Sequence, residues 1–324
     1  MLCYNIQIVK RVCLSAQSLL PLEKHRNPMQ KTLILSLLLA STPLWAAPVQ
    51  VLSSFSILGN VTQELGGERV QVQTLIGANQ DAHTYQLQSQ DVKKIQAAKL
   101  IVLNGLGFER ADIRRATQNS GKKIVNATQG LPALPLPAHD HHHAGHNHDH
   151  GAYDPHVWHD PILMKAYAAN ITQALIATDP AGKTYYQARL AQYQSQLNQL
   201  HAWSQQQFNA IPVSKRKALT AHHSFAYLGK RYHIQFYAPQ GINTHDSASA
   251  TSVARLIKQV KQERIQAVLV ENMVNPKLVQ QIARETGSKT QGMLYADALS
   301  QQGAAKTYLG MVRHNVNTLV AAMK

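Results

Sequence analysis

The two cysteines of the chain, Cys3 and Cys13, both precede residue 47. A mature region starting there can hold neither a disulfide framework nor a thiolate metal site. The sequence also lacks a Walker phosphate loop and a His-Glu-x-x-His helix, so neither ATP hydrolysis nor metalloprotease chemistry has a local signature in it. Acidic residues are scarce, 17 against 32 Lys and Arg, and the formal net charge is +15. Such a balance suits nucleic acid or anionic membranes. Here the basic residues are scattered, with no dense run and no interleaved aromatics, and read as a solvated surface; no nucleic-acid partner is expected. No internal repeat is visible. The apolar run from Thr32 to Leu39 is too short to anchor the chain across a bilayer.

That run fits export instead. Met29-Gln30-Lys31 supplies a short basic start, and Pro43-Leu44-Trp45-Ala46-Ala47 a small-residue cleavage site, the layout of a signal peptide over 29–46 cut after Ala46. Residues 1–28 carry no organised pattern and read as a misassigned N-terminal extension, with Met29 as the true start. No cysteine follows the apolar run to take a lipid, so the expectation is a soluble, unanchored, monomeric protein in the periplasm.

What the chain has in abundance is histidine, 17 in all. His139, His141, His142, His143, His146, His148 and His150 crowd a stretch with no apolar residue larger than alanine. A segment of this composition cannot bury enough surface to offset its ordering and reads as a loop of nitrogen ligands. Neutral imidazole suits zinc, copper and nickel rather than magnesium or calcium. Directly after it comes Asp154-Pro155-His156-Val157-Trp158-His159-Asp160-Pro161, where two prolines and a tryptophan restrict the backbone and should hold His156 in one place.

Elsewhere short β-branched runs alternate with amphipathic stretches. Strands are expected at Val49 to Ser53, Val70 to Ile76, Leu100 to Asn104 and Lys123 to Asn126, with helices near Ile57 to Leu65, Ser89 to Ala98 and Phe108 to Asn119. After a long helical interval the design returns: strands at Ala218 to Ala221, Ile234 to Tyr237, Ala267 to Val270 and Thr290 to Leu294, and helices near Phe225 to Tyr232, Ser249 to Glu263, Pro276 to Thr286 and Ala304 to Met323. Repeated βα alternation implies an α/β fold with parallel sheets covered by helices. Tyr186, Leu190, Tyr193, Leu197, Leu200 and Phe208 recur at helical spacing, which predicts a strut over 181–211, either continuous or broken near His201. The expected organisation is an N-terminal lobe over 47–180 that includes the His-rich loop 139–150, the linker helix 181–211, and a C-terminal lobe over 212–324. A metal site in such a fold belongs at strand ends in the cleft between lobes.

Four segments in order carry a resemblance: Asp81-Ala82-His83-Thr84-Tyr85, the Asp154 to Pro161 segment, His222-His223-Ser224-Phe225-Ala226-Tyr227, and Tyr295-Ala296-Asp297-Ala298-Leu299. They resemble the zinc and manganese class of periplasmic substrate-binding proteins serving ABC importers, the cluster A-I group with high-affinity zinc uptake. The likeness spans residues 49–324. It implies a metal set of His83, His156, His222 and Asp297, two from each lobe. The chain departs from the family pattern in having Ala82 where proline is usual, His159 for an apolar residue and His223 for a common aspartate. His159 and His223 are expected to be exposed. Glu271 is a candidate to hold a ligand histidine in its metal-binding tautomer.

Three imidazoles and one carboxylate make a tetrahedral zinc set. The expected function is zinc capture and delivery to a membrane permease with a separate ATPase subunit; the protein is not expected to be an enzyme. Affinity should fall as pH drops through about 6.5, because the ligand histidines must be neutral. Manganese is the near alternative as cargo. A zinc-dependent periplasmic hydrolase and a metal buffer with no importer are the readings from other classes.

Overall fold

Runs of apolar, β-branched residues build the centre of each lobe. The computed structural model describes residues 47–136, 152–245 and 248–324; the expected extension at 1–28, the signal peptide at 29–46 and the histidine-rich stretch 139–150 lie outside these. β1 (Val49–Phe55) and β3 (Leu100–Leu103) are buried along almost their whole length. They occupy the middle of a parallel sheet of order β2-β1-β3-β4, with β2 (Val70–Ile76) and β4 (Lys123–Asn126) at its edges. The second sheet repeats that order as β6-β5-β7-β8, again parallel, from β5 (Lys217–Leu219), β6 (Gln235–Tyr237), β7 (Ala267–Glu271) and β8 (Thr290–Leu294). Parallel strands need crossover helices, which is why apolar runs and amphipathic stretches alternate in the sequence.

In the first lobe α1 (Ser56–Gly66), α2 (Ser89–Ala97) and α3 (Ala111–Gln118) make these crossovers. The cap of α2 is Gln88, immediately before the expected start. Its side chain and that of Asp91 satisfy each other's backbone N–H groups, a reciprocal box that leaves Ser89 inside the helix. Two helices then fill the long helical interval. α4 (Leu163–Thr178) ends at Asp179-Pro180, next to the boundary expected between 180 and 181, with the Asp179 carboxylate gripped by Arg69 Nε at 2.8 Å and Nη2 at 3.0 Å. α5 (Lys183–Asn209) runs unbroken past His201 for 27 residues, roughly 40 Å at 1.5 Å per residue. α6 (Ala226–Tyr232), α7 (Ala250–Gln262), α8 (Lys277–Thr286) and α9 (Tyr308–Met323) complete the second lobe. Ser249 caps α7 by accepting from Ser252 N at 3.1 Å, and Gly287 ends α8 at φ 73°.

The buried face of α5, Tyr186, Tyr193, Leu197, Leu200 and Phe208, joins the two lobes through one hydrophobic core. That core continues from Leu52 and Ile101 through Trp158 to Leu269, Leu294, Met311 and Leu319. A smaller core, including Leu219, Val260, Val268 and Ile282, lies in the second lobe alone. Among the described residues no helix is long and apolar enough to cross a membrane.

Leu197 is fully buried where the shared core passes along α5. Leu197→Ala should therefore cost about 2–5 kcal/mol. In urea unfolding followed by circular dichroism, the loss should shift one transition for both lobes rather than split it.

Candidate metal centre

The candidate ligands all sit on segments that follow strand C-termini. His83 lies in the β2–α2 loop, His222 follows β5, Asp297 follows β8, and His156 lies between β4 and α4. Parallel α/β sheets place ligand-binding loops at this edge, where the strand order reverses. The structure brings all four sequence-predicted residues together: one donor atom from each lies within 4.8 Å of every other. All four side chains are buried.

The carboxylate of Asp297 is the hub. Its Oδ2 is 3.1 Å from His83 Nε2 and 3.2 Å from His222 Nε2, and its Oδ1 is 3.5 Å from His156 Nε2. A tetrahedron with ligands at zinc-like radii of about 2.0 Å has edges of about 3.3 Å. The three Nε2 atoms and both Asp297 oxygens are buried and find no hydrogen-bond partner beyond this group. Five converging polar atoms that satisfy nothing else have the geometry of a site for one cation.

Carboxylates behind the rings fix which nitrogen faces inward. Glu271 closes β7, and its Oε2 lies 2.5 Å from His222 Nδ1 while its Oε1 accepts from Ala221 N at 2.9 Å and His222 N at 3.1 Å. Asp154 does the same for His156, its Oδ1 being 2.7 Å from Nδ1 and 2.9 Å from the backbone N. A carboxylate only accepts, so each Nδ1 carries a proton and each Nε2 is the nitrogen turned to the centre, free to give its lone pair to a cation once it holds no proton. His83 is set through its backbone: its N–H donates to Asp81 Oδ1 at 2.9 Å, and Arg110 Nη1 donates to its carbonyl at 3.2 Å.

Charge balance follows from burial. Desolvation lowers the pKa of His222, but the charges of Glu271 and Asp297 outweigh it and hold the imidazole well above its usual value. Desolvation raises Asp297, and the interactions with the neighbouring His222, His156 and His83 imidazoles outweigh that, leaving the carboxyl well below the ordinary range. In the metal-free protein a proton on His222 therefore serves as the balancing cation.

Two neighbours differ from expectation. His159 is buried, 2% exposed, with its ring 4.4 Å from that of Phe225. Desolvation and the nearby charge of His156 press its pKa down to about 3, so it is neutral. It takes the apolar slot its position implies, and polarity alone had misled the expectation of exposure. His223 is partly buried, and its backbone N–H donates to Gly241 O at 3.0 Å.

The His156 segment is wired to the far lobe by residues that sequence reasoning did not single out. Tyr227 OH donates to Asp154 O at 2.8 Å, and Arg231 forks onto Asp160 with Nε–Oδ2 of 2.9 Å and Nη2–Oδ2 of 2.7 Å. Trp158 Nε1 donates to Ala296 O at 2.9 Å, and Tyr308 OH to Trp158 O at 2.8 Å. On its own lobe Asn104 Nδ2 donates to Pro155 O at 3.1 Å. The turn that follows Asn104 is closed by buried Glu109, which accepts from Ser54 Oγ and from the backbone N–H groups of Asn104 and Gly105. Gly105 is required there: φ is 88°, and a Cβ would sit 2.8 Å from Thr128 Oγ1.

Comparison with known proteins decides the family. Residues 51–322 match the model of the family described as zinc-uptake complex component A, periplasmic. The chain belongs to this family. It is thus a metal-binding substrate-binding protein of an ABC importer, not an enzyme, and works with a membrane permease and an ATPase. It is 28% identical over 276 residues to the manganese-binding lipoprotein MntA of Halalkalibacterium halodurans, covering 85% of this chain and 88% of that one. Among solved structures, the periplasmic zinc binding protein TroA of Treponema pallidum shares the fold with a TM-score of 0.78 at 24% identity, over 85% of this chain and 99% of the other. A manganese-bound periplasmic metal binding protein of candidatus liberibacter asiaticus aligns with a TM-score of 0.75 at 28% identity, over 85% and 100%.

For the metal-free protein the sign of the pH effect is set by His222. A raised folded-state pKa stabilises fully below the unfolded value, about 6.5, and the contribution is lost as pH rises through the folded value. Thermal melts of metal-free protein at stepped pH should show this loss on the alkaline side. His222→Gln should flatten it.

Proposed function

We propose that His83, His156, His222 and Asp297 are the ligands of a single transported zinc ion, captured in the periplasm and released to the importer. The observation that carries the reading is the donor set: three imidazole nitrogens and one carboxylate, buried and converging within 4.8 Å of one another. Zinc takes this mixture at four-coordinate geometry, whereas manganese favours more oxygen donors and lies far below zinc in intrinsic affinity at nitrogen-rich sites. His222 is the discriminating position, since a carboxylate there would move the site toward manganese. The chemistry is coordination and exchange. Metal entry displaces the proton from His222, and Asp297 supplies the negative charge that keeps a buried dication favourable.

Manganese as cargo is the second reading. It is supported by the names of relatives, which include manganese-binding and manganese ABC transporter proteins, and by the two free oxygens of Asp297, which offer a second oxygen donor to a larger ion. The family membership argues against the hydrolase and the importer-independent buffer. We further propose that residues 47–180 and 212–324 act as the two lobes, 181–211 as the strut, and that the protein works as a monomer.

Competition titration of residues 47–324 tests the cargo. The expected outcome is one tight zinc per chain that a large excess of manganese fails to displace; displacement by equimolar manganese would change the cargo to manganese. Affinity measured the same way on Glu271→Gln should drop about tenfold, the usual cost of loosening a carboxylate that orients a metal-bound histidine. An unchanged value would remove Glu271 from the site.

A further inference from the structure

The four proposed ligands are not held alike. Every residue from Asp154 to Pro161 is buried, as is every residue from Leu294 to Leu299, and His222 has buried neighbours at Ala221, Ser224 and Phe225. Of the twelve residues 77–88, which carry His83, only Ala82 and His83 are buried. The loop contributes Ala82 to the shared core and Tyr85 and Leu87 at its margin, whereas the His156 segment contributes fully buried Trp158 to its centre.

Polar bonds tie the outer half of this loop to the second lobe. Asn79 N donates to Leu299 O at 2.9 Å, and Asn272 Nδ2 to Asn79 Oδ1 at 3.0 Å. The third bond is placed differently. Asp81 accepts the His83 N–H on one oxygen and Thr244 Oγ1, at 2.5 Å, on the other. Thr244 stands on the segment after β6 that is pinned beside His222 by His223 N to Gly241 O, 3.0 Å, and by Gln240 N to Ala221 O, 3.3 Å. One carboxylate thus joins the backbone of the His83 ligand to the strand end that carries the His222 ligand.

From this contrast we infer that residues 77–88 are the gate of the site and that the Asp81–Thr244 hydrogen bond is its latch. His156, His222 and Asp297 form a half-site fixed by the core, and the metal leaves when the His83 loop swings out on Gly77 and Gln88. The swing breaks few apolar contacts and a handful of hydrogen bonds, most of whose groups are close to solvent. Moving the His156 segment would extract Trp158 and break the Arg231–Asp160 fork. This inference rests on the four-ligand reading above.

The test is the rate at which zinc leaves. Purified protein is loaded with one zinc and mixed rapidly with excess of a chromogenic zinc chelator. Thr244→Val deletes the latch and leaves all four ligands and the Asp81–His83 bond; it should speed zinc release about tenfold, the scale of one lost hydrogen bond to a carboxylate. Its metal-free melting temperature should match wild type. In parallel, amide hydrogen exchange on wild type should show residues 77–88 protected only with zinc bound, and residues 154–161 protected in both states. Unchanged zinc release in Thr244→Val, or amides of 154–161 opening together with 77–88 on metal removal, overturns the gate and leaves the four-ligand site standing. Failure of wild type to bind zinc or manganese tightly overturns both.

Discussion

A buried carboxylate facing three lone pairs is the constraint on which the rest of this structure depends. Asp297 and the three Nε2 atoms have no other buried partner, so without a cation the group is a cluster of unsatisfied acceptors in a low-dielectric interior. Such a cluster persists only if surrounding structure over-determines it. Here the over-determination is visible. Glu271 and Asp154 each grip both the ring and the backbone of their histidine, and the lobes share a core that keeps four loops from two sheets in register. The proton held by His222 eases the strain in the metal-free state. It is also what the metal must replace.

The two lobes use the same slot for different ends. Glu109 follows β3 and Glu271 ends β7, the equivalent strands of two sheets with the same order. Desolvation raises Glu109, with Ser54 and backbone N–H groups opposing that rise, and the carboxylate closes the turn that holds Pro155 through Asn104. Glu271 instead reaches the ring of His222 directly. Glu109 thus fixes the exit turn of its own strand, whereas Glu271 fixes the exit of the neighbouring β5.

Much of this was legible in the sequence, for physical reasons that differ by element. β3 and β7 fall where the β-branched runs predict, since a strand packed between helices needs a nearly continuous apolar stretch, and the edge strands β2, β4 and β8 match shorter or mixed runs. That His83, His156, His222 and Asp297 belong together was legible through the segments around them, because their neighbours, prolines, aromatics and aspartates, set the loops. His159 was misjudged because an imidazole held neutral at about pKa 3 packs as an aromatic ring. The cross-lobe wiring of Tyr227, Arg231 and Tyr308 joins positions 71 to 150 residues apart, a separation at which no local pattern carries information.

The hydrophobic core that passes through α5 into both lobes has a thermodynamic consequence for the cargo. In a protein whose halves close around a ligand, part of the coordination free energy is absorbed by that closure, and measured affinity falls short of the intrinsic value. With one core common to both halves, closure of the lobes absorbs little of that free energy, and only the settling of the 77–88 loop draws on coordination. Affinity then approaches what the ligands alone would give. A metal held that firmly leaves a passive carrier slowly, so the importer has to act on its donor and not merely wait beside it.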